Sequence, residues 1–354
     1  MSDGSYNLAD WSIEQDIEFI VSETTDIWPS LQGARIFITG GTGFIGSWLL
    51  ESLRLADQRL SLGIHATVLT RDPRGFRSKL PHLANYPGFH FVSGDVCSFD
   101  TPTGDFTHLI HGATDASASL NESNPRRMFD TIVQGTRRVL DFAVEKSVER
   151  MLFLSSGAVY GQQPWELERI SEDWRGSPDC TDPKAAYAES KRAAEMLCAI
   201  YNKQFGVNVS VARIFALLGP RLDLDIHFAA GNFIRDAVQG RPVIVRGNGL
   251  PYRSYLYATD LTIWLWHLLL RSKPLRPYNV GSDESISICN LAERTARLLA
   301  DGDFQVLGER DDGWNLGRYV PETVRIGREL GLYKTVSLDD AILRTALWNG
   351  WNEN

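Results

Sequence analysis

The stretch from Arg35 to Leu50, RIFITGGTGFIGSWLL, constrains the fold more than any other part of the sequence. A short apolar strand leads into Gly40, Gly43 and Gly46, and an apolar helical run follows. Glycine permits a tight turn and lets a ligand's pyrophosphate approach the N–H groups at the start of a helix. A glycine-rich surface turn is the alternative, but the strand before it and the helix behind it favour a nucleotide site.

The chain has 354 residues and a net charge of −8. This length allows one large α/β domain or two packed lobes. The negative charge gives no electrostatic support for nucleic acid or an anionic membrane as a partner. No secretory signal is recognisable, and the longest apolar run, Leu261 to Leu270, is too short to span a bilayer. We therefore expect a cytoplasmic protein, with reduced cysteines and no metal site because the four cysteines are scattered.

Strands alternate with helices along the first two thirds of the chain. This order predicts an α/β fold, a Rossmann-type doubly wound parallel sheet with a smaller C-terminal α+β substrate-binding lobe. The predicted strands are residues 66–69, 89–92, 108–111, 150–154, 207–215 and 278–280, and the predicted helices are residues 13–21, 125–146, 185–205, 288–300 and 338–347. The predicted domains are an N-terminal extension with a short helix (1–33), a dinucleotide-binding domain (34–218 plus 255–285) and a substrate-binding lobe (219–254 plus 286–354).

Two positions bear on the adenosine half of a dinucleotide. Arg71 follows the second predicted strand, where a basic residue favours the 2′-phosphate of NADP and an acidic one favours NAD. Arg71 therefore favours NADP, although a solvated surface arginine is the alternative and NAD stays open. Asp95, beside Val96, follows the third strand and is placed to accept a hydrogen bond from the adenine amino group. A loop-capping aspartate is the other interpretation of Asp95.

Tyr187 and Lys191 lie one turn apart on a predicted helix, so both side chains share a face. An exposed helix pair is the simple alternative. Because this helix follows the fifth strand of the sheet, both side chains can reach a nicotinamide. A nearby ammonium favours the phenolate, which lets Tyr187 act as a general acid or base near neutral pH. Ser156, at the end of the fifth strand, can share the hydrogen bond to the substrate oxygen.

Four motifs, GGTGFIG, HGA (111–113), LSSGAVYG (154–161) and YAESK, together resemble the extended short-chain dehydrogenase/reductase family, specifically its NAD(P)-dependent nucleotide-sugar epimerases and dehydratases. The resemblance runs from Arg35 to about Leu347. It implies a bound nicotinamide cofactor that takes hydride from a sugar carbon, usually C4. Tyr187 would be the base, Lys191 would hold the ribose and tune Tyr187, and Ser156 would occupy the catalytic Ser/Thr position. The implied cofactor site comprises Gly40, Gly43, Phe44, Ile45, Gly46, Arg71, Asp95, Val96, His111, Gly112, Ala113, Tyr187 and Lys191.

The resemblance also implies a nucleoside-diphosphate sugar as the substrate. Asn232, in GNFIRDA, is similar to an asparagine beside the diphosphate, and Arg253, in YRSYLY, and Arg318, in GRYVP, are similar to two arginines that clamp it. Guanidinium groups suit a diphosphate because they make bidentate contacts with phosphate oxygens. A surface or salt-bridged arginine is the alternative at either position. Ser156 completes the predicted substrate-binding set.

The sequence departs from part of this family directly after Ser156. In the 4,6-dehydratases the resemblance implies an Asp-Glu pair there, and the decarboxylating relatives keep a glutamate. Gly157 and Ala158 stand at these places, and neither can transfer a proton. An acid from another loop is the remaining route to dehydration, with Glu189, Cys180 and His227 as candidates.

The resulting hypothesis is a nucleotide-sugar epimerase, most simply a 4-epimerase. The alternatives are an NADPH-dependent 4-keto-sugar reductase, an atypical dehydratase without the Asp-Glu pair, and a non-catalytic dinucleotide-sensing protein. The intact Tyr187 and Lys191 speak against a sensor, which needs no positioned proton donor. We also expect a homodimer. The helices at 125–146 and 185–205 carry more apolar positions than one sheet-facing stripe needs, and members of the family commonly pair through such helices.

Overall fold

A computed structural model describes residues 11–114, 118–225, 229–308 and 317–352. The strands are β1 (Arg35–Thr39), β2 (His65–Thr70), β3 (Phe89–Ser93), β4 (His108–His111), β5 (Arg150–Ser156), β6 (Val209–Ile214), β7 (Leu217–Leu218), β8 (Val243–Val245), β9 (Tyr252–Arg253), β10 (Leu256–Tyr257), β11 (Pro277–Val280), β12 (Ile286–Ser287), β13 (Phe304–Val306) and β14 (Arg318–Tyr319). The α-helices are α1 (Ile13–Glu23), α2 (Phe44–Leu60), α3 (Pro73–Lys79), α4 (Pro81–Ala84), α5 (Ala118–Ser123), α6 (Pro125–Glu145), α7 (Ala186–Phe205), α8 (Ala229–Val238), α9 (Ala258–Arg271), α10 (Ile288–Leu299), α11 (Val324–Leu330) and α12 (Leu338–Trp348). Short 3₁₀ turns occupy Trp28–Leu31, Gly157–Tyr160 and Pro183–Ala185.

The central sheet has seven strands in the order β11-β6-β5-β4-β1-β2-β3, and all neighbours run parallel. The predicted Rossmann-type α/β sheet is confirmed. The strand order reverses between β1 and β4, because the chain leaves β1 toward β2 and β3 and then returns to the other side. In such sheets ligands bind at the carboxyl ends of the strands where this reversal occurs. The glycine turn after β1 lies at that position.

Helices cover both faces of the sheet. One hydrophobic cluster joins α1, α2 and α9 to the first face, and a second joins α6 and α7 to the opposite face. The longest apolar run, Leu261 to Leu270, lies in α9, whose residues from Ala258 to Leu270 are all buried. A helix that is apolar all round belongs inside the core rather than on its surface. In the described part of the chain, no helix is both long and apolar enough to cross a membrane.

A third hydrophobic cluster forms from α8, α10 and α12, with Phe233, Leu291 and Ile342 among its buried side chains. Two small sheets accompany these helices, β13-β8 and the three-stranded β12-β9-β14. The strands of these sheets are two or three residues long. The segments involved correspond to the predicted substrate-binding lobe, whose domain boundaries stay a prediction.

The N-terminal extension is built into the core through α1. The N–H of Ser12, the N-cap residue of this helix, donates to Oε1 of Gln15 at 3.2 Å. Buried Asp16 accepts hydrogen bonds from Tyr257 Oη at 2.6 Å and Arg344 Nη1 at 2.7 Å. Burial raises the pKa of the Asp16 carboxyl, and these two partners oppose the rise. Asp16 thereby joins the extension to β10 and to the C-terminal helix α12.

Candidate active site

The turn between β1 and α2 is so close-packed that two of its positions require glycine. Gly40 has φ +74°, and a Cβ there would lie 2.5 Å from the Gly112 carbonyl carbon. A Cβ on Gly46 would lie 2.4 Å from the Gly40 carbonyl oxygen. Both distances are far below van der Waals contact, so larger residues would push the turn away from β4 and from its own helix.

This turn places the N-terminus of α2 at the carboxyl edge of the sheet. Gly43 is the N-cap residue, and no side chain caps the helix. The first N–H groups of a helix, here those of Phe44 and Ile45 among others, have no partner within it and are suited to an anion such as pyrophosphate. The Thr42 and Thr70 hydroxyls, 3.2 Å apart, link the turn to the end of β2.

His111, at the end of β4, is a neutral side chain that links two neighbouring elements by hydrogen bonds below the site. Its Nδ1 lies 2.7 Å from Thr39 Oγ1 and its Nε2 lies 3.0 Å from Thr136 Oγ1. Burial lowers the pKa of His111 to about 3, and the Lys191 charge adds to this effect. Both ring nitrogens are engaged by threonines, so the imidazole fixes β4 against β1 and α6 without carrying charge.

At the predicted adenosine end, Asp95 has a structural contact of its own. Its Oδ1 accepts a hydrogen bond from the Cys97 N–H at 2.9 Å, as the loop-capping interpretation anticipates. A carboxylate has further lone pairs, so this contact is compatible with adenine binding. Val96 is buried against α6, and Arg71 is exposed just after β2. The cofactor roles of all three residues stay predictions.

The three predicted catalytic residues converge at the carboxyl end of β5. Ser156 is the last residue of that strand, and its Oγ accepts a hydrogen bond from the Ala158 N–H at 3.2 Å. The Tyr187 phenol lies close enough to this hydroxyl for Ser156 to lower its pKa. Lys191 Nζ, one turn further along α7, donates to the Leu154 carbonyl at 2.7 Å. The packing of α7 against β5 therefore brings a hydroxyl, a phenol and an ammonium to the carboxyl end of that strand.

Burial dominates the electrostatics of these residues. Burial raises the pKa of Tyr187, and the hydrogen bond from Ser156 opposes the rise. Burial lowers the pKa of Lys191 to about 8, and the Glu195 carboxylate opposes that change. Because the ammonium is held by Leu154, its predicted support of the Tyr187 phenolate is not a direct contact in this structure. That tuning stays a prediction.

The sequence did not predict two sets of residues that hold α7, the helix of Tyr187 and Lys191, in place. Asn121 Oδ1 accepts a hydrogen bond from the Tyr187 N–H at 3.0 Å, while its Nδ2 donates to the Lys184 carbonyl at 2.8 Å. Asn121 lies 66 residues away in sequence from Tyr187, and no local pattern marks the pairing. This contact fixes the backbone at the start of α7.

The second set is an ion pair behind β5. Glu195 accepts hydrogen bonds from Ser155 Oγ at 2.6 Å and from Arg213 Nε and Nη2 at 3.0 and 2.6 Å. Glu195 follows Lys191 by one turn, as Lys191 follows Tyr187. That repeated spacing was the available sequence signal. The pair anchors the catalytic face of α7 to β5 and β6.

The two predicted diphosphate-binding arginines lie on adjacent strands. β9 and β14 pair in parallel, with Tyr252 opposite Arg318 and Arg253 opposite Tyr319. The Arg318 guanidinium lies 4.5 Å from the Trp165 ring centroid and 4.9 Å from that of Tyr252. In this register the Arg318 side chain shares a face of the sheet with Tyr252, and the Arg253 side chain projects from the opposite face with Tyr319. Arg318 is fixed by stacking on two aromatic rings.

Asn232 lies on a different element, the first half of α8. Its Oδ1 accepts a hydrogen bond from Arg235 Nη1 at 3.1 Å. Tyr255, two residues after Arg253, packs in the same buried hydrophobic cluster as Ala230 and Phe233 of α8. This contact connects α8 to the segment that carries Arg253.

The residues considered as replacement acids do not form an Asp-Glu pair. Gly157 and Ala158 lie in the 3₁₀ turn after β5. Glu189 forms an ion pair with Arg192 at 3.6 Å, and Cys180 is exposed. His227 lies outside the described residues.

Comparison with known proteins establishes the family. The model of the NAD dependent epimerase/dehydratase family matches residues 36–281. The chain belongs to this family. UDP-glucuronic acid decarboxylase 1 of Xenopus tropicalis is 31% identical over 312 residues, which cover 88% of this chain and 71% of that protein.

Solved structures of the epimerase/dehydratase fold superpose on most of the chain. A dTDP-glucose 4,6-dehydratase from Streptomyces venezuelae with NAD bound has a TM-score of 0.75 and 25% identity, covering 89% of this chain and 96% of that one. A UDP-N-acetylglucosamine 4-epimerase from Methanobrevibacter ruminantium has a TM-score of 0.76 and 20% identity, and the match covers 89% of this chain and 98% of that one. The predicted resemblance is confirmed, and the protein is an NAD-dependent sugar-nucleotide enzyme of the epimerase/dehydratase family.

The residues of this epimerase/dehydratase fit NAD. The close approach of Gly40 to Gly112 leaves room for backbone only, as a pyrophosphate turn requires. The uncapped N-terminus of α2 has N–H groups that would suit the two phosphates, and buried Lys191 lies one turn from Tyr187 on α7. The family description names NAD, while the preference for NADP that Arg71 suggested stays a prediction.

Proposed function

We propose that this enzyme is a nucleoside-diphosphate-sugar 4-epimerase. One observation carries the proposal. Ser156 and Tyr187 meet at the end of β5, where the following residues, Gly157 and Ala158, offer no side chain that transfers a proton. This site can handle the proton of one sugar hydroxyl, and it lacks a second acid–base pair at the adjoining positions.

Tyr187 would take the proton of the C4 hydroxyl while Ser156 hydrogen-bonds to the same oxygen. NAD, when bound, supplies the hydride acceptor and returns the hydride to the sugar. Tyr187 then gives its proton back to the C4 oxygen, so the residue acts first as a base and then as an acid. Lys191 would place positive charge near the phenol and thereby favour its ionised form.

Inversion at C4 requires the sugar to present both faces while its diphosphate stays bound. Arg253 shares a face of the β9–β14 pair with Tyr319, whose hydroxyl lies near Gly157, and would hold the diphosphate by a bidentate contact, whereas Arg318 projects from the other face. Asn232 would add a neutral hydrogen-bonding group from α8. This division of roles, with a fixed diphosphate and a mobile keto sugar, supports an epimerase.

The test is conversion of a panel of UDP-, dTDP-, GDP- and CDP-sugars, followed by ¹H NMR of the H4 coupling constants. We expect a mixture of C4 epimers to form with no net consumption of NAD. A pentose with released carbon dioxide would indicate decarboxylation, and a 4-keto-6-deoxy sugar would indicate dehydration. Stoichiometric oxidation of NADPH in the presence of a 4-keto sugar would indicate a reductase. Any of these outcomes, or no conversion across the panel, would contradict the proposal.

A further inference from the structure

The Tyr319 phenol lies where a side chain at residue 157 would otherwise project. A Cβ on Gly157 would be 2.7 Å from Tyr319 Oη and 2.6 Å from Phe215 Cζ. Both distances are well below van der Waals contact, so a side chain at residue 157 and this phenol exclude each other. Gly157 begins the 3₁₀ turn that Ser156 caps. The strand β14 therefore supplies a hydroxyl at the turn directly after Ser156.

Packing holds the Tyr319 ring in this position. The ring lies against that of Phe215, with the two centroids 4.5 Å apart. The next residue, Val320, donates its N–H to Gln163 Oε1 at 2.9 Å and accepts a hydrogen bond from the Ile170 N–H at 2.9 Å. A ligand would therefore meet a phenol that is already oriented, which lowers the entropic cost of binding.

The Tyr319 hydroxyl has a proton that the protein itself uses poorly. Among the described residues, the hydrogen-bond acceptor for this hydroxyl is the Ile214 carbonyl at 3.5 Å, which is longer than an ordinary O–H···O hydrogen bond. Burial raises the pKa of the phenol, so it stays protonated at neutral pH. The side chain is half-buried. Polar groups withdrawn from water normally have a well-placed partner, and a bound ligand can supply one here.

The position of Tyr319 relates it to both ends of the proposed substrate. Tyr319 pairs with Arg253 across β9 and β14, so the two side chains share a face of the small sheet. Arg253 is the proposed diphosphate ligand, whereas Gly157 adjoins Ser156 at the proposed C4 end. A sugar that joins a diphosphate at Arg253 to a C4 oxygen at Ser156 therefore passes the Tyr319 hydroxyl.

We propose that Tyr319 is a specificity-determining residue whose hydroxyl donates a hydrogen bond to an oxygen of the substrate's sugar other than the C4 oxygen. The residue thereby selects a nucleoside diphosphate that carries a hydroxylated sugar over the nucleoside diphosphate alone. The C4 oxygen itself is assigned to Ser156 and Tyr187 in the proposed reaction. This inference rests on the proposed nucleotide-sugar site, but it concerns binding and holds for any reaction that follows at C4.

The first test compares UDP-glucose with UDP as ligands of the NAD-bound full chain, by isothermal titration calorimetry. Every protein in the comparison carries Tyr187→Phe, so that the bound sugar is not converted. Adding Tyr319→Phe keeps the ring on Phe215 and removes only the hydroxyl. We expect this change to raise the Kd for UDP-glucose roughly three- to tenfold, the loss of one hydrogen bond, and to leave the Kd for UDP unchanged.

Tyr160→Phe is the matched control. Its hydroxyl donates to Asn279 at 2.7 Å in the same aromatic cluster, away from the shared face of Tyr319 and Arg253. This variant should bind both ligands as the reference protein does. An unchanged Kd for UDP-glucose in Tyr319→Phe, or an equal loss for UDP and UDP-glucose, would overturn the inference. If UDP does not bind, the dTDP, GDP and CDP pairs replace it, and failure of all four pairs would overturn the inference as well.

Analogues that lack one hydroxyl identify the oxygen that Tyr319 contacts. The probes are the 2-deoxy, 3-deoxy and 6-deoxy forms of the nucleotide glucose. We expect one of them to bind roughly three- to tenfold more weakly than the parent sugar in the reference protein and no more weakly in Tyr319→Phe. Equal losses in both proteins for all three analogues would show that Tyr319 contacts no sugar oxygen. Binding that follows the expected pattern without formation of a C4 epimer would contradict the 4-epimerase proposal and leave this inference standing.

Discussion

Tyr187 is the residue on which the proposed chemistry depends most. Its side chain is partly buried, and its backbone is held by Asn121. We predict that Tyr187→Phe lowers kcat by roughly 10²- to 10⁴-fold, the usual contribution of a positioned general acid or base. Binding of NAD, measured by fluorescence titration, should change little because the glycine turn is untouched. Full activity in this variant would contradict the catalytic assignment.

His111 predicts a specific pH dependence of stability. Its folded pKa of about 3 lies below its ordinary 6.5, so the unfolded chain binds the extra proton as the pH falls below about 6.5. His111 thus contributes stability at neutral pH that is lost progressively toward pH 3. In urea unfolding, the stability gap between wild type and His111→Asn should narrow by roughly 1–2 kcal/mol between pH 7.5 and pH 5. The same gap at both pH values would show that His111 is not buried neutral.

Among the candidate site residues, the sequence predicted those whose positions follow a local pattern. Tyr187 and Lys191 are recognisable because one helical turn separates them, and Ser156 because a strand ends there. Tyr319 was not predicted to lie beside Gly157, since β14 reaches the turn after β5 only through tertiary packing. Residues brought together from distant segments leave no spacing to read in a single sequence.

The glycine turn is the element whose geometry can be tested most cleanly. A Cβ on Gly46 would lie 2.4 Å from the Gly40 carbonyl oxygen, whereas one on Gly247 would have nothing within 4 Å. We predict that Gly46→Ala weakens NAD binding at least tenfold because the N-terminus of α2 must move. Gly247→Ala is the matched control and should bind NAD as the wild type does. Isothermal titration with NAD compares the two, and equal affinities would contradict the account of the turn.

Strands of the central sheet and long helices were predicted well, whereas strands of two residues were not. The strand at residues 108–111 has the predicted bounds, and the helix predicted at 125–146 is α6, from Pro125 to Glu145. The strands β9 and β14 have two residues each, which is too short for any hydrophobic alternation to show. Arg253 and Arg318, which lie on these strands, were found only through the resemblance to a family, because residue propensities do not indicate a strand of two residues.

At the scale of the whole molecule, the predicted homodimer has a candidate surface on α6 and α7. Met196 and Ile200, one turn apart on α7, are 62% and 38% exposed, and Phe129 on α6 is 38% exposed. We predict that Ile200→Glu yields a monomer by light scattering at micromolar concentration, because association would bury the new charge. Leu60→Glu, at an apolar position 42% exposed on α2, is the control and should stay dimeric. A monomeric wild type would contradict this prediction.

In the proposed reaction, one site removes hydride from C4 and returns it to the opposite face of the same sugar. The most direct measurement follows a nucleotide sugar deuterated at C4, drawn from the substrates that the panel identifies, through a single conversion without added cofactor. For a 4-epimerase we expect a C4-inverted product that retains the deuterium at C4, as measured by ¹H NMR and mass spectrometry. Deuterium recovered in released nicotinamide cofactor, or a product that has lost carbon dioxide or water, would contradict it.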